Sequence, residues 1–357
     1  MKLAAAHSHK KFLKLDRDHK QSAKAARLNY GLDNKPGIIR QKKGKGYTYI
    51  YAGKILKDKV ELERIKCLAI PPSWTNVWIC PDTNGHIQAT GLDLNNRKQY
   101  RYHKQWNILR SETKFHRLFE FGKALPLLRS KIKKDIEVQE LTESKVLATV
   151  ISLMEQTYIR VGNNGYEKLY GSYGLTTLKD RHVMIEKEDI SFSFTGKKGI
   201  EHSITIKSKR LARIIRQCRD IPGKELFQYY TANGEKRSID SGMVNNYIKE
   251  VTQAEFTAKD FRTWAGSLHA LESFQSLNEP QTDTDIRKNI NIVLDAVSNK
   301  LGNSRSICKK YYVHPGLIQL YEENKLKHYF LASPSKEKTE GFTAEEEILM
   351  RTLKKSM

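Results

Sequence analysis

Between the Pro36-Gly37 turn and about Tyr102, apolar and polar residues mostly alternate with a period of two. After Trp106 the apolar positions take helical spacing. Tyr47, Tyr49 and Tyr51 alternate with Thr48 and Ile50, which predicts a strand. Val77-Trp78-Ile79-Cys80 runs into the turn signal Pro81-Asp82-Thr83-Asn84-Gly85, and Ile87 to Thr90 returns, which predicts a hairpin. Glu61 to Leu68 reads as a short helix halted by Pro71-Pro72. Val146, Leu147, Val150, Ile151 and Met154 form one buried helical face. A three-stranded patch is expected between Thr176 and Ile206, with turns at Asp180-Arg181 and Gly196-Lys197-Lys198-Gly199. Helices then resume. Thr282 with Asp285 is a capping box, Ile286, Ile290, Val293, Val297 and Leu301 line the next face, and Gly302 stops it. Thr343 with Glu346 opens a final helix.

The fold class expected is α+β. A basic, β-rich N-terminal domain covers residues 1–107, of which 1–35 are a basic, weakly helical arm. A larger, mainly helical domain with a three-stranded sheet covers residues 108–357. A chain of 357 residues is long enough for two packed cores.

Composition narrows the function. No apolar run reaches membrane-span length, and the start, MKLAAAHSHKKFLKLDR, is too basic and too briefly apolar for a secretory signal. Cys67, Cys80, Cys218 and Cys308 are widely spaced, with no C-x-x-C, so neither a disulfide framework nor a zinc site is indicated and a cytoplasmic setting is expected. Lys and Arg number 63 against 40 Asp and Glu, a formal charge of +23, which favours a polyanionic partner. Residues 1–107 carry 22 basic and 8 acidic side chains, net +14; the other 250 residues carry net +9. The N-terminal third is thus the part suited to gripping phosphates. With the change of pattern near residue 107, this asymmetry suggests a C-shaped clamp with two domains on opposite sides of a DNA duplex.

Cutting a phosphodiester without metal needs three groups. A nucleophile must lie in line with the leaving oxygen, and fixed cations must hold the non-bridging oxygens. An acid must protonate the leaving 5′ oxygen. Arginine suits the clamp because its fork binds phosphate through two bonds and stays charged. Lysine suits the acid because neighbouring cations lower its pKa. No Walker-type loop and no acidic cluster of the Mg²⁺-holding kind accompanies these residue types, so no cofactor and no metal are expected.

Six segments carry a family resemblance: Ile70-Pro-Pro-Ser-Trp74, Gly91-Leu-Asp-Leu-Asn-Asn-Arg-Lys-Gln-Tyr-Arg-Tyr102, Tyr158-Ile-Arg-Val-Gly162, Gly174-Leu-Thr-Thr-Leu-Lys-Asp-Arg-His182, Lys259-Asp-Phe-Arg-Thr-Trp264 and Leu301-Gly-Asn-Ser-Arg-Ser-Ile-Cys-Lys-Lys-Tyr-Tyr-Val-His-Pro315. In this order they resemble poxvirus-type and bacterial type IB DNA topoisomerases over roughly residues 36–330. The resemblance implies ATP- and metal-independent relaxation of supercoiled double-stranded DNA by a monomer, in the nucleoid if the source is bacterial. The reaction would run through a transient single-strand break and a 3′-phosphotyrosyl intermediate.

The resemblance also implies roles. Arg160 and Arg262 are the phosphate-clamping arginines, and Lys179 is the general acid in the first hairpin. Lys197 and Lys198, in the next turn, share the residue type but not the role. Lys259, on the same helical face as Arg262, assists leaving-group protonation. The nucleophile lies nine residues after a phosphate-contacting His or Asn; counting from Asn303 reaches Tyr312, not Tyr311. Poxvirus and eukaryotic members have His where this chain has Asn303, whose amide can donate hydrogen bonds but brings no charge. His314 falls outside the motif and is expected to be structural. Gln99, Tyr100 and Tyr102 match DNA contacts in the major groove, and strand alternation puts both tyrosines on one face. Tyr166 matches a phosphate contact.

Tyrosine recombinases share the Arg/Lys/Arg/Tyr chemistry. They usually carry His-x-x-Arg at the second arginine, where this chain has Lys259-x-x-Arg262, and their N-terminal domain is a helical bundle. A basic DNA-binding protein without catalysis is the other reading that the charge permits.

Overall fold

Phe12 and Leu15, three residues apart in a mostly basic run, supply the apolar face of the N-terminal helix. The computed structural model describes residues 8–94, 96–331 and 340–355. In it, α1 (His9–Arg17) buries Phe12 and Leu15 with Trp106 and Leu109. α2 (His19–Ala25) adds Ala23 to the same cluster and is capped by Asp18, whose side chain accepts from Gln21 N. Asp16 pairs with Arg110 and Arg117. The chain divides into two units, residues 1–117 and 118–357.

In the first unit the alternating run builds a six-stranded antiparallel sheet. β1 (Ile38–Lys43) and β2 (Gly46–Tyr51) form a hairpin that turns through Gly44 at φ +55. β3 (Lys54–Ile55) continues it, and α3 (Lys59–Cys67) follows. β4 (Thr75–Ile79), β5 (Ile87–Leu92) and β6 (Lys98–Tyr102) complete the order β3-β2-β1-β4-β5-β6. The hairpin expected around residues 81–85 is β4–β5, with Trp78 opposite Thr90. Ile65 of α3 packs on Ile38, Val77, Ile79 and Ala89. Arg64 ties that helix down by donating to Gln88 Oε1 and Cys80 O.

α4 (Lys104–Glu137) contains the point where the units divide. The second unit has one continuous core. α5 (Glu143–Thr157) buries the apolar face read from its spacing, and its last turn ends on Tyr158 in the left-handed region, φ 57. α6 (Asn164–Tyr170) follows.

The three-stranded sheet begins later than the sequence suggested. Its strands are β7 (Val183–Glu186), β8 (Asp189–Thr195) and β9 (Glu201–Lys207), all antiparallel. The β-branched Thr176 and Thr177 read as strand, but they belong to a short 3₁₀ turn. Thr176 donates to Val161 O, and Thr177 Oγ1 accepts from Gly174 N. These local bonds compete with extended structure. The expected turn at Asp180-Arg181 is a second 3₁₀ turn leading into β7.

After β9 come α7 (Lys209–Arg219), the two-stranded β10 (Gln228–Tyr230) and β11 (Lys236–Ser238), and α8 (Ser241–Thr252). α9 (Ala258–Gln275) is the most enclosed of the helices that follow. α10 (Asp283–Leu301) starts on the Thr282–Asp285 capping box and stops at Gly302, φ 57, as its sequence signals. α11 (Arg305–Tyr311), α12 (Pro315–Glu322) and α13 (Lys327–Leu331) are short. α14 (Ala344–Lys355) is locked into the core: Glu346 takes bonds from Arg129 and from Trp264 of α9. Among the described residues no helix is long and apolar enough to cross a membrane.

Candidate functional site

Two arginines more than a hundred residues apart in sequence meet in the second unit. Arg262 lies one turn into α9 and is 6% exposed, where a surface helix arginine would be solvated. Its Nη1 donates to Tyr158 O and its Nη2 to Leu301 O at 2.6 Å. Arg160 follows the left-handed cap at Tyr158, and its Nη2 donates to Asn303 Oδ1 at 3.0 Å and Gly302 O at 3.2 Å. The Asn303 amide donates to Leu301 O. The end of α5, the start of α9 and the end of α10 thus converge through carbonyls and one amide.

Those partners decide the electrostatics. Among the described residues both guanidiniums are held by neutral oxygens alone. Arg129 shows the alternative: it is ion-paired to Glu155 and Glu346 and held above its usual pKa despite burial. Arg160 goes the other way. Burial, then the like charge of Arg262, pushes it down to about 10. Two neighbouring, at least partly buried cations without a carboxylate partner among the described residues suit an anion supplied from outside.

Tyr312 stands beside this pair. The Arg262 guanidinium carbon lies 5.3 Å from its ring centroid. Tyr312 is the residue at which α11 ends, and its carbonyl accepts from Ser267 Oγ, which also accepts from His314 N. A Cβ at Gly266 would lie 2.8 Å from Tyr312 Cβ and O, so α9 can approach only with glycine there. The helix that carries Arg262 therefore also seats the tyrosine backbone. Tyr311 is 40% exposed, with Lys310 over its ring. His314 caps α12 through Nδ1, the structural role expected of it.

Residues 103–337 match the family described as eukaryotic DNA topoisomerase I, catalytic core, and residues 46–93 match bacterial DNA topoisomerase IB, N-terminal domain. The chain is 32% identical over 298 residues to DNA topoisomerase 1B of Acanthamoeba polyphaga mimivirus, covering 81% of this chain and 88% of that protein. It is 25% identical over 274 residues to DNA topoisomerase 1B of Vaccinia virus (strain Copenhagen), covering 74% and 83%. This chain belongs to the type IB DNA topoisomerase family. It is accordingly a DNA topoisomerase, an isomerase.

Within this topoisomerase the placement of Lys179 differs from expectation. Lys179 is not in a hairpin turn; it precedes β7, with Nζ 2.8 Å from Glu167 and 3.0 Å from Glu225. Burial alone would lower its pKa, but the two carboxylates outweigh burial and hold it above the usual lysine value. A proton donor to a poor leaving group needs the reverse, so the two carboxylates weigh against the general-acid role expected of Lys179. The misplacement follows from reading the first strand too early. The turn that joins β8 to β9 carries Lys197, which is exposed, has no carboxylate partner among the described residues, and has Nζ 5.9 Å from the Tyr166 ring centroid. Lys259 is exposed on α9, one turn before Arg262. Among the described residues no group of three or more His, Cys, Asp or Glu side chains could hold a metal ion.

In the first unit Tyr100 and Tyr102 share a face of β6, their rings stacked at 5.6 Å, and Lys98 lies over Tyr100. Gln99 alternates to the other face, where its amide donates to Asp93. Tyr166, on α6, is 40% exposed and stacks on Tyr170. Single-sequence reasoning missed Gly266 and Ser267, which carry no signal outside the fold. Lys197, set aside there, occupies the hairpin turn in which the lysine was sought.

Proposed function

We propose that the enzyme relaxes supercoiled duplex DNA as a monomer, through a transient break in one strand, without ATP or metal. The Tyr312 hydroxyl gives its proton to solvent and attacks the scissile phosphate; the P–O5′ bond breaks, a 3′-phosphotyrosyl bond forms and a free 5′ hydroxyl leaves. Arg160 and Arg262 hold the non-bridging oxygens, and the Asn303 amide, freed from Leu301 O, donates to one of them. Lys197 protonates the departing 5′ oxygen and Lys259 assists. After strand rotation the 5′ hydroxyl attacks the phosphotyrosine and restores the strand. Tyr100, Tyr102 and Gln99 of the basic N-terminal domain (residues 1–107 by the change of pattern), and Tyr166 of the larger domain (108–357), are the DNA contacts of a C-shaped clamp working on cytoplasmic or nucleoid DNA.

The observation that carries this reading is the pair of guanidiniums bonded, among the described residues, to neutral oxygens alone, with that of Arg262 against the Tyr312 ring. They can meet the charge that metal ions neutralise in other phosphoryl transfers. Negatively supercoiled plasmid should relax fully in EDTA without nucleotide. Complete loss in EDTA would contradict the metal-free step, and an unchanged linking number would reduce the protein to DNA binding. Affinity should fall steeply with salt, since each neutralised phosphate adds about 0.9 to the log–log slope.

The lysine assignment has its own test. Lys197→Ala should slow single-turnover cleavage by roughly 10²–10⁴-fold. A substrate with sulfur at the bridging 5′ position needs no proton on leaving and should recover most of that loss. Lys179→Ala should show no such sulfur recovery, because its ammonium is committed to Glu167 and Glu225. Recovery for Lys179→Ala and none for Lys197→Ala would return the role to Lys179.

A further inference from the structure

The turn with Lys197 and the loop with Asn303 come from distant parts of the chain, and the His202 ring, with Ile200 beside it, lies against both. His202, on β9, sits opposite Phe194 and stacks on its ring at 5.0 Å. A Cβ at Gly196, the residue before Lys197, would fall 2.6 Å from His202 Cδ2 and Nε2. A Cβ at Gly302, the residue before Asn303, would fall 3.0 Å from His202 Cε1. The imidazole therefore occupies the space beside both backbones. Gly302 needs glycine for its φ of +57 in any case, whereas Gly196, at φ −93, has no such need. Contact with the His202 ring is what requires glycine at Gly196.

The ring is not held by polar bonds, since among the described residues neither nitrogen has a hydrogen-bond partner. Burial, then Arg160 and Arg262, keeps it below the usual histidine pKa, against a small opposing effect of Glu201 on its own strand. Near neutral pH it is an uncharged, flat spacer.

We infer that His202 is a positioning residue for strand cleavage, whose ring sets the distance between the Lys197 turn and the Gly302-Asn303 loop so that proton donor and clamp meet one phosphodiester. This rests on the roles proposed above for Lys197, Arg160 and Asn303. A displacement of about an ångström at a reacting centre costs on the order of 10²-fold, and removing the ring permits a shift of that size.

Single-turnover cleavage of a short duplex tests it, on oxygen- and sulfur-bridged substrates, with DNA affinity measured alongside. His202→Ala should slow cleavage of the oxygen substrate by roughly 10- to 100-fold at unchanged affinity, and the sulfur substrate should recover most of the loss. His202→Phe, which keeps a flat ring on Phe194, should stay within about threefold of the parent. Parental cleavage by His202→Ala would overturn the inference, as would a loss that sulfur leaves untouched. A dead His202→Phe beside an active His202→Gln would overturn it too, by assigning the role to hydrogen bonding rather than size. Should His202→Ala not fold, Gly196→Ala pushes the ring from the other side; the same loss and sulfur recovery are expected, and a parental rate refutes the idea. Tyr312→Phe run in parallel separates the two levels: an adduct from that variant sinks the whole site, while a dead Tyr312→Phe with a parental His202→Ala sinks this inference alone.

Discussion

Tyr312→Phe should bind duplex DNA as the parent does and form no covalent adduct, with relaxation down by at least roughly 10⁴-fold. Losses of that size follow removal of a nucleophile from an otherwise intact site. The substitution takes one hydroxyl and leaves the ring beside Arg262 and the backbone bond from Ser267. Tyr311→Phe should be nearly silent, because that ring is exposed and lies by Lys310. Consecutive side chains around a helix end point in different directions, so the two hydroxyls cannot serve one phosphate. Gel assays of relaxation on both variants decide it. A dead Tyr311→Phe with a normal Tyr312→Phe would shift the nucleophile by one residue.

Arg262→Lys should lower the cleavage rate by roughly 10²–10⁴-fold, about 3–5 kcal/mol of transition-state stabilisation, with DNA affinity within a few-fold of the parent. Charge is kept, but the planar fork is lost. That fork spans Tyr158 O and Leu301 O while facing the tyrosine. Lysine is the more informative change than alanine, which would also strand two carbonyls and cost about 1–3 kcal/mol of stability for each group left unsatisfied. Arg160→Ala should give a comparable kinetic loss with less effect on melting, since Arg160 reaches Gly302 O and Asn303 Oδ1 through a single nitrogen. Parental cleavage by Arg262→Lys would mean that charge alone suffices and the two-bond clamp is wrong.

What could be read without coordinates depended on the range of the interactions. The β4–β5 hairpin, the α10 cap at Thr282 and its stop at Gly302 rest on neighbours within a few residues, and the chain spells them out. The Tyr100–Tyr102 pair follows from strand alternation alone. The hairpin placement of Lys179 failed because Thr176 and Thr177 look like strand until their bonds to Val161 and Gly174 are seen. Arg160 and Arg262 were legible as motif positions, but their sharing of neutral partners across Tyr158, Leu301 and Asn303 was not. The same holds for the contact of Gly266 with Tyr312 and for the hold of Glu346 on Arg129 and Trp264. These are meetings of residues far apart in the chain, and periodicity carries no information about them.

Tyr312 is proposed to carry the DNA by its 3′ phosphate. The most direct measurement denatures the enzyme during turnover on end-labelled duplex, digests the trapped complex and identifies the modified residue by mass spectrometry. The expected result is one nucleotide-bearing peptide, with the 3′-phosphodiester on Tyr312 and a free 5′ hydroxyl on the released strand. A label on Tyr311 or any other residue, or a protein-linked 5′ end, would contradict the account.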